Sequence, residues 1–278
     1  MAALALVFRH VLADVVRVAL ALDHYSHILV IPFLSGFLLY RDRQKIFSST
    51  VPTPGLGLLV ALPAVLLFWH PPDSGGGPDG YLFARALGVF VLVLAAFIFC
   101  YGVKAFRAAA FPLLFLFLAV PLPLPMVEAI IVFLQKGSAA FSEALFALTS
   151  VPFLRQGFVF QLPDLTIEIA KECSGIRSSM ALLVTTLFAL HLFLQSWWKK
   201  WVVVAALVPI ILFKNALRIV TLSLLSIYVD PRFLSGWLHT SGGIVFYLLA
   251  LAVIGLVIRL LGRKRAPVEP IASARVAY

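Results

Sequence analysis

Three short polar constellations interrupt an otherwise apolar chain, and their residue types are those of nucleophilic acyl transfer. The first is Glu172-Cys173-Ser174-Gly175-Ile176-Arg177-Ser178-Ser179. Cys173 stands where a polar stretch enters a long apolar run, near the positive N-terminal end of the helix that this run predicts. That position stabilises the thiolate, the nucleophilic form of the side chain. Arg177 follows one helical turn later, which places its guanidinium on the side of the sulfur. Ser174, Gly175, Ser178 and Ser179 are too small and too polar for a lipid-facing turn. Cys100, by contrast, sits inside the apolar run 89–101 and reads as a packing residue.

The second constellation is Asn215 and Arg218, three residues apart on one face of the apolar run 200–228. An arginine in such a run is costly and is directed to a cavity, a partner charge or the interface; the companion Asn215 favours a functional cavity. The third is His239, in Leu238-His239-Thr240-Ser241-Gly242-Gly243 at the start of the last apolar run. A lone interfacial histidine is ordinarily structural, so its weight depends on where the chain places it. An imidazole can take the thiol proton and return it to a leaving amine, and a guanidinium can stabilise an oxyanion. Cys173, Arg218 and His239 thus supply three roles, with Arg177, Asn215 and Ser174 in support.

Other chemistries find no purchase. His10, His24, His27, His70 and His191 lack zinc spacing, and neither cysteine has a second thiol nearby, so no metal is expected. Phosphate loops, dinucleotide fingerprints and nucleophile elbows are absent, so no cofactor is expected. Glu168 and Glu172 read as a solvated face. The net charge of +10 comes from short Lys/Arg clusters between apolar runs rather than from one basic face, which argues against nucleic acid.

The elements that must position these groups follow from composition. Of 278 residues, 62% are hydrophobic and 12% charged, so lipid is the main solvent. Spanning backbone must satisfy its own hydrogen bonds, and the unalternated Leu/Val/Ala/Phe runs fit helices rather than a barrel. Runs at 25–40, 54–70, 81–103, 107–121, 173–195, 200–228 and 238–261 predict seven spans, with 2–22 an eighth candidate; the expected fold is an all-α polytopic membrane protein with seven to eight transmembrane helices. The first stretch carries Arg9, His10, Asp14 and Arg17 and lacks a cleavable signal pattern. It either spans or lies along the interface.

Basic clusters at 41–50, 104–107, 196–200 and 262–278 agree on one cytoplasmic side. The loops near 70–80, 121–172 and 229–238 then face outward, and with them Cys173, Arg218 and His239. Residues 122–172 form an extracytoplasmic cap: a surface helix over 126–148 and a short β-hairpin from 158–162 and 165–169 around Pro163-Asp164. The chain reads as one domain, 1–278, ending in the basic cytoplasmic tail 262–278.

Cys-Ser-Gly-Ile-Arg at 173–177, Asn-x-x-Arg at 215–218 and His239 before a Gly-rich helix start, in that order, resemble the exosortase/archaeosortase family of polytopic membrane enzymes. Tyr25-Ser26-His27 ahead of Arg41-Asp42-Arg43, and the Pro-Leu-Pro break at 121–123, are also similar to that family. The resemblance implies a bacterial inner-membrane thiol protease or transpeptidase with its site on the extracytoplasmic side. Cys173 would be the nucleophile, with Arg218 and His239 completing the site. The implied partners are exported proteins bearing a C-terminal motif, a transmembrane helix and a basic tail, with exopolysaccharide export as the associated process. Glu172 departs from the alanine common at that position. Two other readings stand beside this one: a transporter or channel with Arg218 and Asn215 lining a polar path, and a non-catalytic assembly factor for envelope polysaccharide.

Overall fold

The computed structural model describes residues 7–69, 77–163, 165–234 and 243–262. Helix α1, Arg9–Ala21, buries Val11, Val15 and Ala19, a four-residue repeat that makes one apolar stripe. Asp14 and Arg17 pair at 2.9 Å on its exposed side. Its 13 residues reach about 20 Å, short of the roughly 30 Å hydrocarbon core. Its single apolar stripe is the pattern of an interfacial helix; residues 1–6 lie outside the described ones.

A 3-10 turn, Asp23–Leu29, leads into α2, Ile31–Arg41, and the short α3, Arg43–Ile46. Helices α4, Pro54–Trp69, and α5, Gly77–Ala108, then form a tight hairpin. Two glycines set its spacing. A Cβ on Gly57 would lie 2.6 Å from the Phe99 Cβ, and one on Gly102 would lie 1.8 Å from the Val51 carbonyl oxygen. Gly102 breaks α5 locally with φ +81°, a conformation glycine adopts without a Cβ penalty. Helix α6, Ala110–Phe115, runs into a 3-10 turn, Leu116–Ala119, and ends at the proline break.

Pro123 and Pro125 then start α7, Leu124–Ala147, where a missing N–H is harmless. A three-stranded antiparallel sheet follows: β1, Leu154–Gln156, β2, Val159–Leu162, and β3, Leu165–Glu168, in the order β1-β2-β3. The expected hairpin is β2–β3, with Phe160 opposite Ile167. Strand β1 is an addition, turned onto β2 at Gly157, φ +63°. The sheet's apolar face, including the fully buried Phe160, packs on Phe146 of α7 and on Val220. Helices α8, Ile176–Phe193, α9, Trp197–Tyr228, and α10, Gly243–Gly262, complete the chain. Leu182, Leu207, Ile211 and Ile254 from these three helices share a core with Leu134 of α7.

Among the described residues, five helices are long and apolar enough to cross a membrane: Gly80–Ala108, Leu124–Ala147, Lys171–Phe193, Trp197–Tyr228 and Gly243–Gly262. On length this does not reach the expected seven to eight. Pro54–Phe68 and Ala110–Ala119 are apolar but short, and 25–40 divides into a 3-10 turn and an 11-residue helix. Helix α7, expected to lie on the surface, is itself long and apolar enough to span. It is also tied to the sheet segment along its length: Glu128 to Lys171 at 3.4 Å, Gln135 to Ile169, and Glu143 to Arg155.

Among the described residues, the basic clusters at 41–50, 104–107 and 196–200 gather at one end of the bundle. Asp42, between α2 and α3, meets His191 of α8 at 3.1 Å, with Phe111 stacked on the imidazole. Ile46 packs against Ala105 and Ala109. Lys199 donates to the Leu261 carbonyl, capping α10 at that same end. Exposed Trp197, Trp198 and Trp201 ring the start of α9 there, as in an interfacial aromatic belt. Arg218 lies about 27 Å farther along α9 than Lys200, in the opposite half of the helix.

Candidate active site

Cys173 sits in a 3-10 turn, Lys171–Ser174, between the sheet and α8. The turn is held from both sides. The Cys173 N–H donates to the Ala170 carbonyl at 3.0 Å, and Gln135 of α7 donates to the Ile169 carbonyl at 2.7 Å. On the α9 side, the Asn215 side-chain amide donates to the carbonyls of Cys173 at 3.1 Å and Ser174 at 3.3 Å, and to Ser138 Oγ at 3.0 Å. Carbonyl oxygens only accept, so their presence fixes which end of the amide faces the turn. Asn215 is 1% exposed.

Gly175 joins this turn to α8 with φ +75°. Two constraints require glycine there, because the left-handed conformation penalises a Cβ and a Cβ would also sit 2.8 Å from Asn215 Oδ1. Its carbonyl accepts from the Ser179 N–H at 2.9 Å, from Ser178 Oγ at 3.0 Å and from Ser179 Oγ at 2.8 Å. Lys214, itself buried, donates to Ser178 Oγ. Adjacent residues of α9 thus hold both sides of Gly175, Asn215 the turn before it and Lys214 the first turn of α8 after it.

Cys173 and Arg218, remote in sequence, line one cavity of about 200 Å³. Its walls are Ile167, Glu168 and Ile169 on one side and Ile219, Leu222 and Ser223 on the other, with Leu234 at the end of the described segment. The thiol is half-buried. A nucleophile, a cation able to meet an oxyanion, and an apolar recess therefore share one space.

The other expected site residues fall as follows. Asn215 holds the turn, as just described. Ser174 is buried; its carbonyl accepts from Asn215, and its hydroxyl finds no hydrogen-bond partner among the described residues. Arg177 turns away from the sulfur to Asp23 Oδ1 at 3.3 Å on an exposed surface, and it is not part of the cavity lining. The four-residue spacing is met, but Cys173 lies before the left-handed Gly175, outside α8, so the helical-face argument does not reach it. His239 lies outside the described residues; Leu234, five positions before it, is on the cavity wall. Glu168 lines the cavity while Glu172 is exposed. Lys214, Ser138 and Gln135 were not singled out by sequence reasoning, whereas Ser178 was, as part of the polar stretch after Cys173. For Lys214 a signal existed: a lysine beside Asn215 inside an apolar run.

The family model described as transmembrane exosortase matches residues 14–256. No curated protein and no solved structure matches the chain.

Proposed function

The chain belongs to the transmembrane exosortase family, and from that premise we propose that it is a thiol peptidase or transpeptidase acting on exported proteins. The observation that carries the reading is the shared cavity of Cys173 and Arg218. The Cys173 thiolate attacks the scissile carbonyl carbon, forming a C–S bond and a tetrahedral oxyanion that Arg218 stabilises. Collapse breaks the C–N bond, and His239, protonated by the departing thiol hydrogen, gives that proton to the leaving amine. Water or an amine-bearing acceptor then attacks the thioester, releasing the acyl group and restoring the thiol.

The membrane setting defines the substrate. A C-terminal substrate helix enters from lipid with its basic tail on the cytoplasmic side, and its cleavage motif reaches Cys173 at the outer end of the bundle. The sheet segment within residues 122–172 acts as the extracytoplasmic cap over this site, in a bacterial inner membrane, beside exopolysaccharide export. The basic clusters collected at the opposite end support this orientation.

The test is replacement of Cys173 by alanine in the native cells, followed by quantitative proteomics of C-terminal peptides. The variant inserts normally, and exported proteins with a helix and basic tail retain those tails. Unchanged removal of the tails refutes the assignment.

A further inference from the structure

Strand β3 is an edge of its sheet: among the described residues it pairs with β2 alone. The register dictates which of its backbone groups face outward. The Ile169 N–H donates to the Phe158 carbonyl at 3.0 Å, so Leu165, Ile167 and Ile169 direct their backbone groups toward β2. In an antiparallel ladder the intervening residues direct theirs the other way. These are Thr166 and Glu168, whose side chains are exposed. The Glu168 carbonyl is taken by the Ala170 N–H at 3.0 Å. The N–H and C=O of Thr166 and the N–H of Glu168 therefore point off the edge.

That edge borders the cavity already described. Ile167, Glu168 and Ile169 form one wall, α9 forms the other through Ile219 and Leu222, and Cys173 and Arg218 belong to the same lining. A strand edge with outward donor and acceptor groups is a template for an extended peptide. A residue paired with Thr166 receives one hydrogen bond and donates one, and successive side chains of the incoming strand alternate between the apolar cavity and the outside.

We propose that the β3 edge is the docking rail for the substrate: an extended peptide lies between β3 and α9, adds a strand to the sheet through Thr166 and Glu168, and places an aliphatic side chain in the cavity beside Cys173. The proposal rests on the thiol peptidase reading and adds to it how the substrate is held. The occupant is a peptide because the free groups on the rail alternate as backbone partners require, whereas a sugar or lipid headgroup has no matching repeat. Backbone pairing is indifferent to side chains, so selection on this rail falls on the one residue that enters the cavity.

The test uses the purified full chain in lipid nanodiscs and the probe acetyl-Ala-Ala-Ala-Val vinyl sulfone, whose alkene adds to the Cys173 thiolate without a leaving group. Labelling is followed by intact mass and compared with methyl vinyl sulfone, which lacks the peptide. The peptide probe is expected to label about tenfold faster or more. Methylating its amide nitrogens one at a time abolishes the advantage at alternate positions. Thr166→Pro removes one outward N–H while leaving the β2 ladder intact and abolishes the advantage too; Thr166→Ala keeps it. Iodoacetamide labels Cys173 equally in all three proteins. An N-methyl series with no positional alternation overturns the rail, as does a Thr166→Pro protein that retains the peptide advantage. The N-methyl series needs no variant, so it decides alone if Thr166→Pro fails to fold. Failure of iodoacetamide to label Cys173 in the unsubstituted protein refutes the parent thiol reading instead.

Discussion

Asn215→Ala isolates the contribution of one amide to the nucleophile's placement. The side chain is 1% exposed and reaches two carbonyls of the Cys173 turn and one serine hydroxyl. Hydrogen bonds between helices within a membrane protein contribute about 0.6 kcal/mol on average and up to about 1.7. Three acceptors share two N–H groups, and of the carbonyls left behind that of Ser174 is buried, which adds to the cost. The sum is about 2 to 3 kcal/mol. If the native turn is the reactive one, this lowers its population and slows alkylation of Cys173 by up to roughly 30- to 140-fold. Ser138→Ala removes a single neutral partner and costs about 1 kcal/mol or less, so it slows alkylation only a few-fold. Thiol alkylation by intact mass, alongside thermal unfolding in the same nanodiscs, reads both quantities. An Asn215→Ala protein that matches the native one in both rate and Tm refutes the argument that this amide fixes the turn.

Gly175→Ala and Gly157→Ala form a matched pair, since both positions have positive φ but only Gly175 faces an atom, Asn215 Oδ1, at 2.8 Å from a new Cβ. Gly157→Ala should cost about 1 to 2 kcal/mol of backbone strain and leave thiol reactivity unchanged. Gly175→Ala should lose reactivity as well, and equal effects in the alkylation assay would contradict the crowding described. Arg218→Met should slow alkylation of Cys173 at neutral pH by about tenfold or more, with Arg218→Lys retaining part of the rate because charge survives while the planar fork is lost. Equal rates in the two variants would show that the cation does not act on the sulfur.

Much of the architecture was legible from hydropathy, though by run length rather than by helix count. The run 200–228 became one continuous helix, Trp197–Tyr228, because nothing in it but Pro209 opposes helical hydrogen bonding. The run 107–121 became a 6-residue helix and a 3-10 turn, ending at Pro121, because apolar character measures preference for lipid and not persistence of helix. The β2–β3 hairpin was legible through its alternation around Pro163. Strand β1, three residues long, is too short to display a period.

The sequence by itself determined that this protein lives in a bilayer, that four short basic clusters alternate with its other loops, and that Cys173 lies at the far end, and Arg218 in the far half, of its run from the nearest cluster. Each of these follows from local free energies of transfer, which are properties of composition and order along the chain. Only the tertiary structure decided that Asn215 serves the turn through its backbone carbonyls, that Lys214 reaches Ser178, that Arg177 leaves the site for Asp23, and that β3 and Cys173 line one cavity. Those outcomes depend on where separate helices cross and on the left-handed turn at Gly175, and contact between remote segments leaves no periodic mark in a single sequence.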